Sequence, residues 1–265
     1  MRLGVGAYMA VVVVATACGV DTSPVDLGPR PAPREASSVV TQSPINPRLL
    51  RRFRALQPVP APVGTDVDRV ALGRALFFET RLSEDGTSSC NTCHQFDHGG
   101  AEPRPTSRST GKHPRNAPSV FNAAGHVAQF WDGRSPSLEA QAVQPLLDVN
   151  ELGMRSPDEV VRVLGAIPAY PPMFAAAYGE TGITFDHVTD AIGAFERTLR
   201  TPSRWDRFLS GDRTALSGQE IDGLKMFADT GCVGCHTGEL VGGSRFQRAG
   251  WCDRGPINAI WGASR

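Results

Sequence analysis

Two short cysteine motifs carry the strongest chemistry in this chain. Cys90-Asn91-Thr92-Cys93-His94 and Cys232-Val233-Gly234-Cys235-His236 each set two thiols three positions apart, with an imidazole directly behind the second. That spacing lets one turn of chain offer both thiols to the vinyl groups of a porphyrin for thioether bonds and place the histidine under the iron. Cys-x-x-Cys is also half of a zinc site or a redox disulfide, but the adjacent histidines and the export segment described below favour haem. The other two cysteines, Cys18 and Cys252, leave too few for a disulfide scaffold. The expectation is two covalently bound haem c groups, with Cys90, Cys93, Cys232 and Cys235 holding the rings and His94 and His236 holding the irons.

The remaining composition bounds where such a protein works. With 27 basic and 27 acidic residues the chain has no net charge, so no global field draws it to nucleic acid or anionic lipid. Residues 1–17 read as a signal peptide: Met1-Arg2 is followed by an apolar run from Val5 to Ala17, too short to span a membrane. Export to the periplasm follows. Ala15-Thr16-Ala17-Cys18 also fits a lipobox that would leave Cys18 lipidated and the protein anchored by lipid, and an ordinary cleavage site is the alternative reading. Nine of the 21 prolines fall between Pro24 and Pro62, so residues 18–65 read as a Pro-rich disordered tether.

The elements that must position the motifs are helical. Val67, Ala71, Ala75 and Phe78 recur at helical spacing, and Val188, Ala191, Ile192, Phe195 and Leu199 form a stronger stripe that stops before Pro202. Ser156-Pro157-Asp158-Glu159 and Ser217-Gly218-Gln219-Glu220 are helix starts, the second leading to an inner stripe of Ile221, Leu224 and Ala228. Gly73-x-x-Leu76-Phe77 and Gly223-x-x-Met226-Phe227 precede the two motifs as a short internal repeat. No segment alternates with a period of two. The fold class is therefore all-α with long loops: two cytochrome c-like haem domains, residues 66–200 and a shortened 201–265.

With its motifs 142 residues apart, the sequence resembles the bacterial di-haem cytochrome c peroxidase family, which includes a di-haem enzyme that matures a tryptophan-derived cofactor. The resemblance runs from about Leu72 to Gly243. It rests on ordered blocks such as Arg115-Asn116-Ala117-Pro118-Ser119-Val120, Phe130-Trp131-Asp132-Gly133-Arg134, Asn150-Glu151-Leu152-Gly153-Met154 and Ala194-Phe195-Glu196-Arg197-Thr198-Leu199. It implies that His94 holds a peroxide-reactive haem, that His236 holds a haem receiving electrons, and that Trp131 lies between them. It further implies that Glu151 moves a proton between the two oxygens of hydrogen peroxide while Gln141 orients the peroxide. The implied donor is a small cytochrome c or a cupredoxin. A di-haem electron carrier and a cofactor-maturing oxidase are the alternatives.

The chain also departs from that family. It ends 29 residues after His236, and Trp251 to Pro256 does not match, so a truncation near Gly250 is expected. Asn116 matches a calcium-site position whose other ligands are missing, which leaves calcium doubtful. The first haem's removable distal histidine aligns with Arg108, or with His113 if the loop shifts. His98, His126 and His187 receive no role.

Overall fold

The computed structural model describes residues 45–104, 107, 115–179, 182–244 and 246, together with the backbone of 251–252 and 255–256. The signal segment, Cys18, most of the tether, Arg108 and His113 lie outside the described residues. Two units are distinguished. The larger, Thr41–Phe246, carries every helix discussed below. To the other belongs the two-residue antiparallel pair β1 (Trp251–Cys252) and β2 (Gly255–Pro256), the only named strands among the described residues. The body is helical, as expected.

Among the described residues, nine α-helices run through the larger unit: α1 (Pro47–Leu50), α2 (Thr65–Phe77), α3 (Cys90–Cys93), α4 (Leu138–Leu147), α5 (Pro157–Ala166), α6 (Tyr170–Tyr178), α7 (Phe185–Thr198), α8 (Arg204–Leu209) and α9 (Gly218–Asp229). The main core forms where α7 lies against α2 and α4, with α6 closing on α2. Leu72 and Leu76 from α2, Leu146 from α4, Val160 and Leu164 from α5, Phe174 from α6 and Val188 and Ile192 from α7 are fully buried there. A second cluster joins Phe77, Val120 and Phe195 and packs against Cys90. The helix starts read from sequence are in place: Ser156 Oγ accepts from the Glu159 N–H, and Ser217 and Glu220 form a reciprocal capping box.

Two expectations need correction. Of the stripe read on α2 only Ala75 packs partly against the core; Val67, 47% exposed, Ala71 and Phe78 face outward, whereas Leu72, Gly73, Leu76 and Phe77 are buried. The larger side chains at 72, 76 and 77 outweigh the two alanines in choosing the buried face. Gly73 matters here because a Cβ at that position would collide with the Ala191 carbonyl of α7. The repeat partner Gly223 faces open space, and Met226, the counterpart of buried Leu76, is 67% exposed.

The second correction concerns the tether, whose last part is not a tether. Phe53 and Leu56 are buried, Phe53 meets Trp205 edge-on with ring centroids 5.1 Å apart, and the Leu56 N–H donates to Asp206 Oδ1 at 2.7 Å. Ile45 and Leu50 pack against a third cluster of Phe208, Ala215 and Ile221. Proline suppressed any periodic pattern in the sequence, yet Pro47 suits the first turn of α1, where its missing N–H costs nothing.

Candidate active site

The two cysteine motifs fold alike. In each, the histidine N–H donates to the carbonyl of the first cysteine at 3.0 Å, Cys90 in one and Cys232 in the other, closing a single turn. In each, histidine Nδ1 lies 3.0 Å from a backbone carbonyl: Pro118 for His94, with Gly100 at 3.3 Å, and Val241 for His236. A carbonyl only accepts, so Nδ1 carries a proton, which leaves Nε2 as the nitrogen able to turn a lone pair to iron. That is the tautomer an iron ligand needs, held by a backbone brace. Burial holds the His94 imidazole below its ordinary pKa, opposed by the two carbonyls, and so keeps it neutral.

The Cys90 thiol does not behave as a metal thiolate. All four are free of disulfides. Burial pushes the Cys90 thiol up to about 12, and the nearby Glu196 adds to the effect. A thiol held protonated is a poor zinc ligand or redox nucleophile. The donor set, two cysteine thiols and a backbone-braced imidazole on one turn, fits covalently attached haem at both motifs.

Beside the first motif lies a cavity of about 520 Å³, within the roughly 300–1,000 Å³ of pockets that enclose cofactor-sized ligands. Cys90, Cys93 and His94 form one wall, and Gln141, Pro145, Glu151 and Glu196 line it from elsewhere. A smaller cavity of about 180 Å³ shares Cys93, His94, Gln141, Glu151 and Glu196 and is bounded by Trp131. Thus Gln141 and Glu151, ten residues apart, line the same two cavities as His94. Local sequence explains how. Pro145 lies in the last turn of α4, and after Leu147 the chain reverses: Asp148 accepts from the Asn150 N–H through Oδ1 at 2.8 Å and from the Glu151 N–H through its carbonyl at 2.8 Å. Gly153 then turns in the left-handed region at φ +72°, and the Met154 N–H returns to the Leu146 carbonyl. The Glu84 N–H holds the Leu152 carbonyl at 2.8 Å, tying this turn to the loop that leads to Cys90.

Trp131 stands at the rim of the smaller cavity, 62% exposed, with its indole N–H donating to the Asn116 carbonyl at 3.0 Å. The Asn116 side-chain amide donates to the carbonyls of Glu102 and Arg104 and so pins that loop. Among the described residues no cluster of three or more His, Cys, Asp or Glu side chains is arranged to hold a metal ion.

One functional side chain went unassigned from sequence. Glu196 on α7 is only 6% exposed and lines both cavities. Burial, reinforced by Glu139 and opposed by Arg197, pushes its carboxyl up to about 8, so it holds a proton at neutral pH. Glu139 itself pairs with Arg197 at 2.5 Å and fits over Gly193 one turn earlier on α7. The sequence did carry a sign: Val188, Ile192 and Glu196 follow at spacings of four, which places an acid on the helix's apolar stripe.

A sequence profile described as di-haem cytochrome c peroxidase matches residues 67–214. The chain is 41% identical over 199 residues to the cytochrome c551 peroxidase of Nitrosomonas europaea, covering 74% of this chain and 59% of that one. It is 46% identical over 181 residues to the cytochrome c551 peroxidase of Pseudomonas aeruginosa, covering 66% and 52%. Among solved structures it is similar to a MauG-like protein associated with microbial copper homeostasis, with a TM-score of 0.61 and 30% identity over 73% of this chain and 59% of that one. The chain therefore spans a little over half the length of these relatives.

Proposed function

Because the chain belongs to the di-haem cytochrome c peroxidase family, we propose that it reduces hydrogen peroxide to water in the periplasm, using one haem on Cys90 and Cys93 and a second on Cys232 and Cys235. The observation that carries this reading is the convergence of Gln141, Glu151 and Glu196 with His94 around one cavity. Haem iron held there supplies the electron exchange that breaks an oxygen–oxygen bond.

The protein's own part is proton movement. Reduction consumes two protons and two electrons per peroxide and yields two waters. Gln141 hydrogen-bonds and orients the peroxide, and Glu151 takes the proton from one oxygen and returns it to the other. Glu196, uncharged because it is buried, is a second proton-bearing carboxyl lining the same cavities. Trp131, at the edge of the smaller cavity, is the aromatic step toward the second haem. A haem held by Cys232, Cys235 and His236 would supply the entry point for electrons from a small cytochrome c or a cupredoxin, with residues 66–200 as the peroxide-reactive domain and 201–265 as the electron-receiving domain.

The test joins mass and turnover. The purified holoprotein should weigh the mature chain plus two haems, show a Soret band that survives denaturation, and oxidise a reduced donor when peroxide is added. Two attached haems without peroxide turnover would leave a di-haem electron carrier. A chain without haem would end the proposal.

A further inference from the structure

Residues 45–56 lie outside the span that matches the family profile, 67–214, yet they pack beside the second haem motif. The Gly238 N–H donates to the Arg52 carbonyl at 2.8 Å and the Arg54 N–H donates to the Gly238 carbonyl at 3.2 Å, so this strap pairs with the chain two residues beyond His236. Phe53 points inward against Trp205. Arg52 and Arg54, on either side of it, therefore share the opposite, outer face. Arg48 and Arg51 are three apart at α1, which puts them on one side of that turn.

All four arginines are exposed, and none forms an ion pair among the described residues. No Asp or Glu occurs between Ile45 and Thr65. Nearby arginines behave differently: Arg200 pairs with Glu239, and Arg204 pairs with Glu220 at 2.5 Å. Asp206, whose Oδ1 accepts from the strap's Leu56 N–H, is buried and spends its other oxygen on Ser203. A chain with no net charge thus gathers four guanidiniums, unneutralised among the described residues, on the flank of the His236 loop.

The geometry points to the strap as a docking surface for an acidic redox protein, a small electron carrier whose contact face bears Asp and Glu side chains. This rests on the reading that electrons enter at the haem of His236. Guanidiniums suit the task because each offers a planar fork to a carboxylate and stays charged at any physiological pH. Opposed patches of this kind raise association rates by about ten- to a thousandfold at low salt, and the gain fades once the screening length falls to about 10 Å near 0.1 M.

The experiment uses the full-length holoprotein and the R48Q/R51Q/R52Q/R54Q variant. The probes are an acidic cupredoxin of the plastocyanin type and a lysine-rich mitochondrial cytochrome c. Stopped-flow reduction of the second haem by the reduced acidic probe should slow at least about tenfold in the variant at low salt and lose most of its salt dependence. Reduction by dithionite should be unchanged, which shows that the variant is folded. Removing Arg155 and Arg162 from α5 serves as the charge control and should change neither rate. Calorimetric binding of the acidic probe at low salt reads the surface even if no electron moves. Binding that the variant loses, without electron transfer, supports the docking surface and places the failure on the second haem. The inference is overturned by equal rates and equal salt dependence in parent and variant, by tighter binding of the lysine-rich probe, or by strap-dependent binding to anionic phosphatidylglycerol vesicles with none to the acidic protein.

Discussion

Replacing Glu196 by glutamine should remove a pH-dependent loss of folding stability. In the folded chain this carboxyl rises from an ordinary 4.5 to about 8, first through burial and then through Glu139. Its folded pKa exceeds its unfolded one, so between the two the native state keeps a proton that the unfolded chain has released. The stabilising contribution is complete below about 4.5, declines as pH rises, and is gone above about 8. At about 1.4 kcal/mol per tenfold the full span corresponds to roughly 5 kcal/mol, and water entering beside the ionised carboxylate lowers the realised loss to about 2–3 kcal/mol. Glutamine keeps the shape and does not ionise. Urea unfolding of both holoproteins, followed by far-ultraviolet circular dichroism from about pH 5 to 9, measures the difference directly. The variant should gain about 2–3 kcal/mol on the parent across that range, because every other titrating group is common to both. A difference that stays constant with pH would refute the assignment of Glu196 as a buried, proton-holding acid.

Glu151→Gln should lower peroxide turnover by about a hundred- to ten-thousandfold with both haem spectra intact. Asp158→Asn on the first turn of α5, exposed and outside both cavities, serves as the control; equal activity of the Glu151 variant and its parent would remove Glu151 from the mechanism. Gly73→Ala and Gly223→Ala should have opposite signs in chemical denaturation. The first forces a methyl into the Ala191 carbonyl and should cost about 1–3 kcal/mol, whereas the second fills open space on α9 and should gain up to about 1 kcal/mol from helix propensity. Two stabilising substitutions would mean that α2 and α7 do not cross as closely as described.

How much of this was readable beforehand depends on the range of the interactions involved. The two cysteine motifs are set by five consecutive residues, and their single-turn geometry follows locally, so sequence reached them. The α7 stripe and the Ser156 and Ser217 caps are equally local. The buried face of α2 was misread because a stripe of Val67 and two alanines fits helical spacing as well as Leu72 and Leu76 do, and only tertiary packing decides between them. Gln141 and Glu151 came from the family resemblance. That both line the cavity beside His94 depends on the Asp148–Gly153 reversal, which spacing alone does not reveal. Glu196 was passed over because its chemistry arises from burial between helices distant in sequence. The strap was lost for the opposite reason: its prolines signal irregular chain, and Phe53 and Leu56 find their partners only around Asp206 and Gly238.

The strap also sets an order of events during synthesis. Its residues are among the first of the described chain to be made, and Gly238, to which it pairs, is among the last. The main core from Leu72 to Ile192 can close once α7 has emerged, completing the cavity beside Cys90 and Cys93. The support of the His236 loop cannot form until nearly the whole described chain exists, because its two halves come from opposite ends. A nascent chain halted after α7 would therefore hold a finished first site while the strap waited, still unpaired, for a partner not yet translated.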